Sequence, residues 1–250
     1  SVVVVAAGND GNNIDNRIAF PACYQNVLCV GATTQADTLA YFTNRGRLVT
    51  VYAPGEEILS TLPGHLYGKE SGTSMASPIV AGIAGLVLSS HPDWITNSPT
   101  PADRVQRVIH QIRSTSDNVI AKSKEERHLY YGRANAFKAV DYNRTGSTNK
   151  IAGLVISGIK FYDTDAITSY EKTRLILTMK NYLGYADNVF LRITPISNYV
   201  TFTEFEKDLG SLNELESKDF EVEIQLKENN PWMVGVADLF LTVAHDEYVD

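Results

Sequence analysis

The arrangement of apolar and polar residues changes character partway along the chain. In the first part, apolar residues form short continuous runs, such as 2–7 and 27–30, which are typical of parallel strands buried on both faces. The apolar run at 79–88 and the helical spacing of apolar residues over 105–112 predict helices. The pattern therefore predicts an α/β domain with a parallel sheet over residues 1–146.

The second of these helices has a distinct start signal. Thr100 is a favourable N-cap, Pro101 fits the first helical position, and Asp103 places an acidic group in the first turn. These three residues predict that the helix begins at Pro101.

Beyond the polar segment 143–150, apolar and polar residues alternate, which is the pattern of half-buried strands. Phe220, Val222 and Ile224, for example, face one way, and the glutamates between them face the other. The alternating segments are 156–161, 174–180, 189–193, 200–205, 220–226 and 236–243. Several short strands of this kind predict a β-sandwich of immunoglobulin-like type over residues 147–250.

Composition limits the classes of function. The 250 residues are 44% hydrophobic and 20% charged, as in soluble globular proteins. The net charge of −7 predicts no general attraction to nucleic acid or to anionic membrane surfaces. This acidity belongs to residues 147–250, which hold 17 Asp and Glu against 9 Lys and Arg, and we interpret it as a solvated surface rather than a ligand-binding face. The longest apolar run, 79–88, is too short to span a bilayer.

Cys23 and Cys29 are the two cysteines, too few to form a metal cluster by themselves. Their close spacing allows a small local disulfide, which would be in keeping with an exported protein. The alternative is that both are small apolar side chains packed in a core. The sequence leaves the two alternatives open.

Two polar residues stand where chemistry is favoured. Ser74 lies within Ser-Gly-Thr-Ser-Met-Ala-Ser-Pro, directly before the apolar run at 79–88, so that it sits at a helix N-terminus with its free N–H groups. Asn9 follows the first predicted strand, in the loop where open α/β sheets bind ligands. The structural alternatives are a helix-capping serine and a turn asparagine.

The sequence around both residues resembles the subtilisin-like serine peptidases. The octapeptide around Ser74 is similar to the nucleophile motif of that family, and Ala6-Ala7-Gly8-Asn9 is similar to the segment whose asparagine donates to the oxyanion. The separation of 65 residues between Asn9 and Ser74 also fits the family. The likeness is nearly continuous from residue 2 to residue 88, and 131–140 resembles the last short helix of the catalytic domain.

This resemblance implies a doubly wound parallel sheet and an acyl-transfer site. Ser74 would be the nucleophile, and the side chain of Asn9 with the Ser74 backbone N–H would bind the oxyanion. A peptide or protein substrate would then lie against further residues of the same segments. The substrate-binding residues implied by the resemblance are Ala6, Ala7, Gly8, Ala19 and Thr73.

The acid and the base of the family's triad are not recognisable in this chain. In the family they precede the serine in the order Asp, His, Ser, and Ser74 lies so early that both are expected upstream of Ser1. None of the five histidines occupies a His-Gly-Thr helix start, and His110, for instance, is expected at a polar or rim position of its helix. We therefore expect an upstream segment to supply Asp and His, and this chain alone to be inactive. The alternative is a non-catalytic pseudo-peptidase, or an adhesion or assembly protein that acts through the β-sandwich.

The family resemblance also bears on cofactors and on location. No cofactor is required for serine peptidase chemistry. The backbone carbonyls of Ala22, Tyr24 and Val27 match a loop in which the family binds a structural Ca²⁺, although Cys23 departs from the usual pattern there. The resemblance implies an extracellular or cell-surface protein.

Overall fold

The computed structural model describes residues 1–15, 18–118, 132–144, 150–161, 172–195, 200–202, 206–226, 239–245 and 248–249. The chain forms two compact units, Ser1–Lys150 and Ile151–Asp250. Each unit is described by itself below.

The first unit is built on a parallel sheet. Its strands are β1 (Val3–Ala6), β2 (Val27–Thr33) and β3 (Val51–Pro54), in the order β1-β2-β3. Both pairs are parallel, and the continuous apolar runs of β2 and β3 are almost entirely buried. The prediction of an α/β unit with a parallel sheet is confirmed.

Strand β1 pairs with β2 among the described residues. Its other edge has no neighbour in the described part of the chain, and Val3 is 49% exposed. The central position that the apolar run at 2–7 predicts for this strand stays a prediction.

A two-stranded hairpin, β4 (Ile58–Leu62) and β5 (Leu66–Glu70), follows β3 and leads directly to the first helix. The turn contains Gly64 and His65, both with positive φ. Leu59, Leu66 and Tyr67 are largely exposed on this hairpin.

The helices of this unit begin at α1 (Thr73–Ser90), which packs against all three strands of the parallel sheet. The other helices are α2 (Asp93–Asn97), α3 (Pro101–Ser114) and α4 (Ala136–Asp141), and both α3 and α4 pack against α1. Helix α3 begins as predicted, because the Thr100 hydroxyl accepts a hydrogen bond from the Asp103 N–H at 3.1 Å. The doubly wound arrangement, with helices on both faces of the parallel sheet, stays a prediction.

Helix α1 is long and apolar enough, by length and composition alone, to cross a membrane. The core helix of a soluble protein meets the same criterion, and α1 packs on a sheet through Val80, Ile83 and Val87. Only 33% of its 18 residues are buried, however. The helix therefore has a buried face and an open face.

The segment after the last long helix returns to β3. The Tyr52 N–H donates to the Gly132 carbonyl at 3.0 Å, and the Ala134 N–H donates to the Tyr52 carbonyl at 2.8 Å. Gly132 is required there, because a Cβ at this position would lie 2.3 Å from the Asp117 carbonyl oxygen. These contacts hold 132–134 beside the sheet.

The Asp117 carboxylate is the centre of a polar network at the same place. It accepts hydrogen bonds from Lys138 at 2.7 Å, Asn135 at 2.8 Å and Arg133 at 3.1 Å, and Arg133 also pairs with Asp37. Partial burial raises the pKa of Asp117, but the hydrogen bonds from Lys138, Asn135 and Arg133 outweigh it, so that the pKa lies below its ordinary value of 3.8. The network therefore stabilises the fold at neutral pH.

The second unit consists of two antiparallel four-stranded sheets, ordered β6-β7-β11-β9 and β10-β8-β12-β13. Their strands are β6 (Leu154–Phe161), β7 (Thr173–Asn181), β8 (Ala186–Pro195), β9 (Val200–Phe202), β10 (Glu206–Leu212), β11 (Ser217–Leu226), β12 (Leu239–His245) and β13 (Tyr248–Val249). Buried side chains from both sheets form one cluster that includes Leu177, Met179, Leu191, Leu212 and Phe220.

The alternation in β11 is confirmed, since Phe220, Val222 and Ile224 are buried and Glu221 is exposed. Strand β10 was not predicted, because its first residues are charged and its register is interrupted at Gly210, which has φ +66°. The immunoglobulin-like type of this unit stays a prediction.

Candidate functional site

Ser74 is the second residue of α1 and its side chain is exposed. The helix has Gly72 at its N-cap position with no side-chain cap from that residue, so Ser74 is not the capping residue that the structural alternative assumed. The Met75 N–H bonds to the Gly72 carbonyl at 3.0 Å. The Ser74 N–H has no partner among the described residues, as is usual for a donor in the first turn of a helix.

Asn9 reaches the start of α1 from the loop after β1. Its Oδ1 accepts a hydrogen bond from the Thr73 N–H at 2.9 Å and another from the Thr73 hydroxyl at 2.9 Å. A side chain 64 residues away in sequence thus takes the place of a local cap. Because a backbone N–H can only donate, this contact turns the amide oxygen of Asn9 toward Thr73 and its Nδ2 away from it.

The Nδ2 of Asn9 lies beside the helix N-terminus. A Cβ added at Gly72 would be 3.3 Å from this nitrogen, so the glycine leaves the space that the amide occupies. No described residue accepts a hydrogen bond from it. A Cβ at Gly72 would also lie 3.7 Å from the Ser74 nitrogen, so Asn9 Nδ2 and the Ser74 N–H are two donors, without partners among the described residues, at the start of the helix that carries Ser74.

Thr73 has a role that the sequence did not reveal. Its side chain is fully buried, and its hydroxyl accepts from the Gly8 N–H at 3.2 Å while donating to Asn9 Oδ1. The residue thus joins the loop after β1 to the first turn of α1. A direct contact between Thr73 and substrate stays a prediction.

The other predicted substrate-binding residues lie near the same loop. Ala6 ends β1, and Ala7 is buried in an apolar cluster against which Ala19 also packs. Gly8 has φ +103°, and a Cβ at this position would lie 2.4 Å from Nδ2 of Asn44, so both backbone conformation and space require glycine. The structure brings Ala7, Gly8 and Asn9 to the N-terminus of α1, and their contacts with substrate stay predictions.

Asn44 is the site residue that sequence reasoning missed. It is 3% exposed and hydrogen-bonds to the loop that carries Asn9. In the sequence it stands in a polar segment between Thr43 and Arg45, where an asparagine has the ordinary appearance of a loop residue. No local signal distinguishes it.

The described histidines have other surroundings. His65 is exposed in the β4–β5 turn, and His91 is buried at the end of α1, with Nδ1 2.9 Å from the Val87 carbonyl oxygen. His128 and the side chain of His245 lie outside the described residues. No histidine in the described part of the chain forms a hydrogen bond with Ser74.

His110 differs from the sequence prediction. It was expected at a polar or rim position, but it is 1% exposed on the inner side of α3. Burial, and next the charge of Arg113, lower the pKa of His110 well below its ordinary value of 6.5. The misassignment arose because helical spacing cannot show which neighbouring segments cover the second face of a helix.

The predicted cation loop lines an open cavity of about 230 Å³. Ala22, Tyr24 and Val27 are among the twelve residues that line it, but the lining also includes Arg47 and Arg113 and contains no Asp or Glu. The Val27 carbonyl already accepts a hydrogen bond from the Thr50 hydroxyl at 3.4 Å. The lining supplies no carboxylate, and the structural Ca²⁺ held by the three backbone carbonyls stays a prediction.

The two cysteines are both free in the structure. Cys29 is buried in β2, and burial, with a smaller contribution from nearby Cys23, raises the pKa of the Cys29 thiol to about 12. Cys23 is partly buried and packs against the apolar cluster that contains Ala7 and Cys29. Of the two alternatives from the sequence, the structure has the packed, reduced side chains.

Comparisons with known proteins match the first part of the chain to one family. The model of the Subtilase family (Peptidase S8) matches residues 1–132. Over 142 residues the chain is 43% identical to the "Thermophilic serine proteinase" of Bacillus sp. (strain AK1), covering 57% of this chain and 31% of that protein. Over 143 residues it is 41% identical to "Thermitase" of Thermoactinomyces vulgaris, covering 57% of this chain and 45% of that protein.

Further matches have the same partial extent. "Subtilisin" of Bacillus pumilus is 48% identical over 94 residues, covering 37% of this chain and 34% of that protein. A solved structure of proteases from Pseudoalteromonas arctica PAMC 21717 aligns with a TM-score of 0.47 and 30% identity, over 56% of this chain and 42% of that one. The chain thus spans less than half the length of the curated relatives named here.

Proposed function

The chain belongs to the subtilase family, and we propose that it carries the nucleophile and the oxyanion-binding donors of a serine endopeptidase. The observation that carries the proposal is the pair of free donors, Asn9 Nδ2 and Ser74 N–H, beside the exposed Ser74 hydroxyl. The substrate is a peptide or protein, as membership of this peptidase family implies.

The reaction is acyl transfer. The Ser74 Oγ attacks the carbonyl carbon of the scissile peptide and gives its proton to a base. The carbonyl oxygen becomes an oxyanion, which accepts hydrogen bonds from Asn9 Nδ2 and the Ser74 N–H at the positive end of α1. The base then gives the proton to the leaving amine, and water hydrolyses the acyl-enzyme by the same steps.

The base and its orienting acid are a His and an Asp from a segment upstream of residue 1. The open face of α1 supports such a partner, since it exposes apolar and small residues in a helix that otherwise packs in the interior. The exposed residues of this face are Pro78, Ala81, Gly82, Gly85 and Leu86. The unpaired edge of β1 offers the same partner a place for a neighbouring parallel strand.

We infer from this arrangement that the chain by itself is inactive, because a serine hydroxyl without its base is a weak nucleophile at neutral pH. We infer from the family resemblance that the complete protein acts outside the cell. The proposed acyl-transfer reaction requires no cofactor.

The test uses the complete protein, with its upstream segment, and a fluorophosphonate probe. We expect the probe to label Ser74, the Ser74→Ala variant to stay unlabelled, and the chain of residues 1–250 alone to hydrolyse no chromogenic peptide. A complete protein that is folded but unlabelled would refute the proposal and favour the non-catalytic scaffold. Rapid hydrolysis by residues 1–250 alone would refute the requirement for an upstream base.

A further inference from the structure

We propose that Asn44 is a positioning residue for the oxyanion site, one that acts on the reaction through Asn9 without touching substrate. The inference rests on the proposed function. It assigns a catalytic consequence to a buried side chain that no part of the acyl-transfer chemistry uses directly.

The side chain of Asn44 bonds to the backbone on both sides of Asn9. Its Oδ1 accepts from the Asp10 N–H at 3.2 Å and from the Asn12 N–H at 2.9 Å. Its Nδ2 donates to the Ala7 carbonyl at 2.9 Å. The Asn44 backbone N–H adds a bond to the Gly8 carbonyl at 3.0 Å.

Close packing adds to these bonds. The Nδ2 of Asn44 lies so near Gly8 that a Cβ there would be 2.4 Å away. The same nitrogen is 3.4 Å from the Asp10 carboxylate, a longer contact on the far side of Asn9. The backbone that carries Asn9 is therefore held at Ala7, Gly8, Asp10 and Asn12, and its Cα has little freedom to move.

Asn44 is itself tied to the rigid sheet. The neighbouring Thr43 hydroxyl donates to the Asn44 carbonyl at 3.0 Å and accepts from the Ala32 N–H of β2 at 2.9 Å. The hydrogen bonds of Thr43 and Asn44 thus connect the sheet to the backbone on both sides of Asn9. The Asn9 side chain in turn bonds to Thr73, the residue before the nucleophile.

The positioning matters because an oxyanion donor works only at the right distance. Donors must lie about 2.7–3.1 Å from the developing oxyanion, and loss of one such donor in subtilisin lowers kcat by about 10²–10³. A donor displaced from this distance forms a weaker hydrogen bond to the oxyanion. The interaction forms only in the transition state, so its weakening lowers kcat and leaves KM nearly unchanged.

The experiment compares kcat and KM of the complete protein with those of Asn44→Ala, Asn9→Ala and the double variant. We expect Asn44→Ala to lower kcat by about 10- to 100-fold with little change in KM. This decrease does not exceed the one expected when a whole oxyanion donor is removed. If Asn44 acts only through Asn9, the double variant loses no more activity than Asn9→Ala.

A matched control separates positioning from general stability. Asn181, in the second unit, is also fully buried, accepts from two backbone N–H groups (Gly153 and Leu183) and donates to two carbonyls (Gly184 and Leu212). We expect Asn181→Ala to lower thermal stability, as Asn44→Ala does, and to leave kcat near the wild-type value.

A second variant covers the case in which Asn44→Ala does not fold. Asn44→Asp keeps the volume and the two accepted bonds but loses the bond to the Ala7 carbonyl, and it is expected to lower kcat as well. A wild-type kcat in the folded variant, an equal fall in Asn181→Ala, or losses that multiply in the double variant would overturn the inference. An inactive wild-type protein would instead refute the proposed function, so the two failures are distinguishable.

Discussion

Replacement of Thr73 by valine tests the contact on which the candidate site depends. Valine keeps the shape of the side chain but removes the hydroxyl that donates to Asn9 Oδ1 at 2.9 Å and accepts from the Gly8 N–H at 3.2 Å. A lost hydrogen bond costs about 0.5–1.5 kcal/mol, and the partly buried Gly8 N–H left without a partner adds up to about 1–3 kcal/mol, the cost of a fully buried donor. We therefore expect the free energy of unfolding to fall by about 2 kcal/mol.

The same change loosens the amide of Asn9. Of the two hydrogen bonds that orient this amide, the one from the Thr73 N–H remains. If the loss of the other weakens the stabilisation of the transition state by about 1 kcal/mol, kcat decreases roughly fivefold. The complete loss of the donor, about 10²–10³, is the upper bound.

The assay is steady-state hydrolysis of a chromogenic peptide by the complete protein, with thermal unfolding followed in parallel. Thr73→Ser is the matched control, because it keeps the hydroxyl and loses only a buried methyl group. We expect its kcat to stay within about twofold of wild type, well short of the fivefold loss in Thr73→Val. If Thr73→Val retains the wild-type kcat, or if Thr73→Ser loses as much, the hydroxyl does not orient Asn9.

Three further predictions concern the rest of the first unit. Gly8→Ala is expected to destabilise it by about 1–3 kcal/mol in chemical denaturation, because of the positive φ and the close approach of Asn44. Asp117 adds stability above its ordinary pKa of 3.8 that is lost as pH falls through its lower folded pKa. The melting temperatures of wild type and Asp117→Asn should therefore differ at pH 7 and converge below that pKa. Cys29, with its thiol pKa of about 12, should resist iodoacetamide at pH 8 longer than the half-buried Cys23, as peptide mass spectrometry would show.

Each of these has a definite contrary result. A Gly8→Ala variant as stable as wild type would show that the loop relaxes freely. A difference between wild type and Asp117→Asn that persists at low pH would show that the carboxylate charge is not the source of stability. Faster alkylation of Cys29 than of Cys23 would show that β2 opens readily.

Much of the first unit follows from local sequence. Strand β2, the start of α3 at Pro101 and the position of Ser74 at a helix N-terminus all depend on patterns within a few residues. The alternation in β11 is equally local. Strand β10 escaped prediction because its exposed charges and the bulge at Gly210 hide the period of two.

The sequence by itself determined several of the helices and strands, the family that the motifs resemble, and the residues that could perform acyl transfer. Tertiary structure alone decided that Thr73 holds the Asn9 side chain, that Asn44 holds the backbone around Asn9, and that His110 is buried. The physical reason is range. Secondary structure and caps depend on neighbours along the chain, whereas these features depend on partners more than thirty residues away or on surfaces that only packing covers.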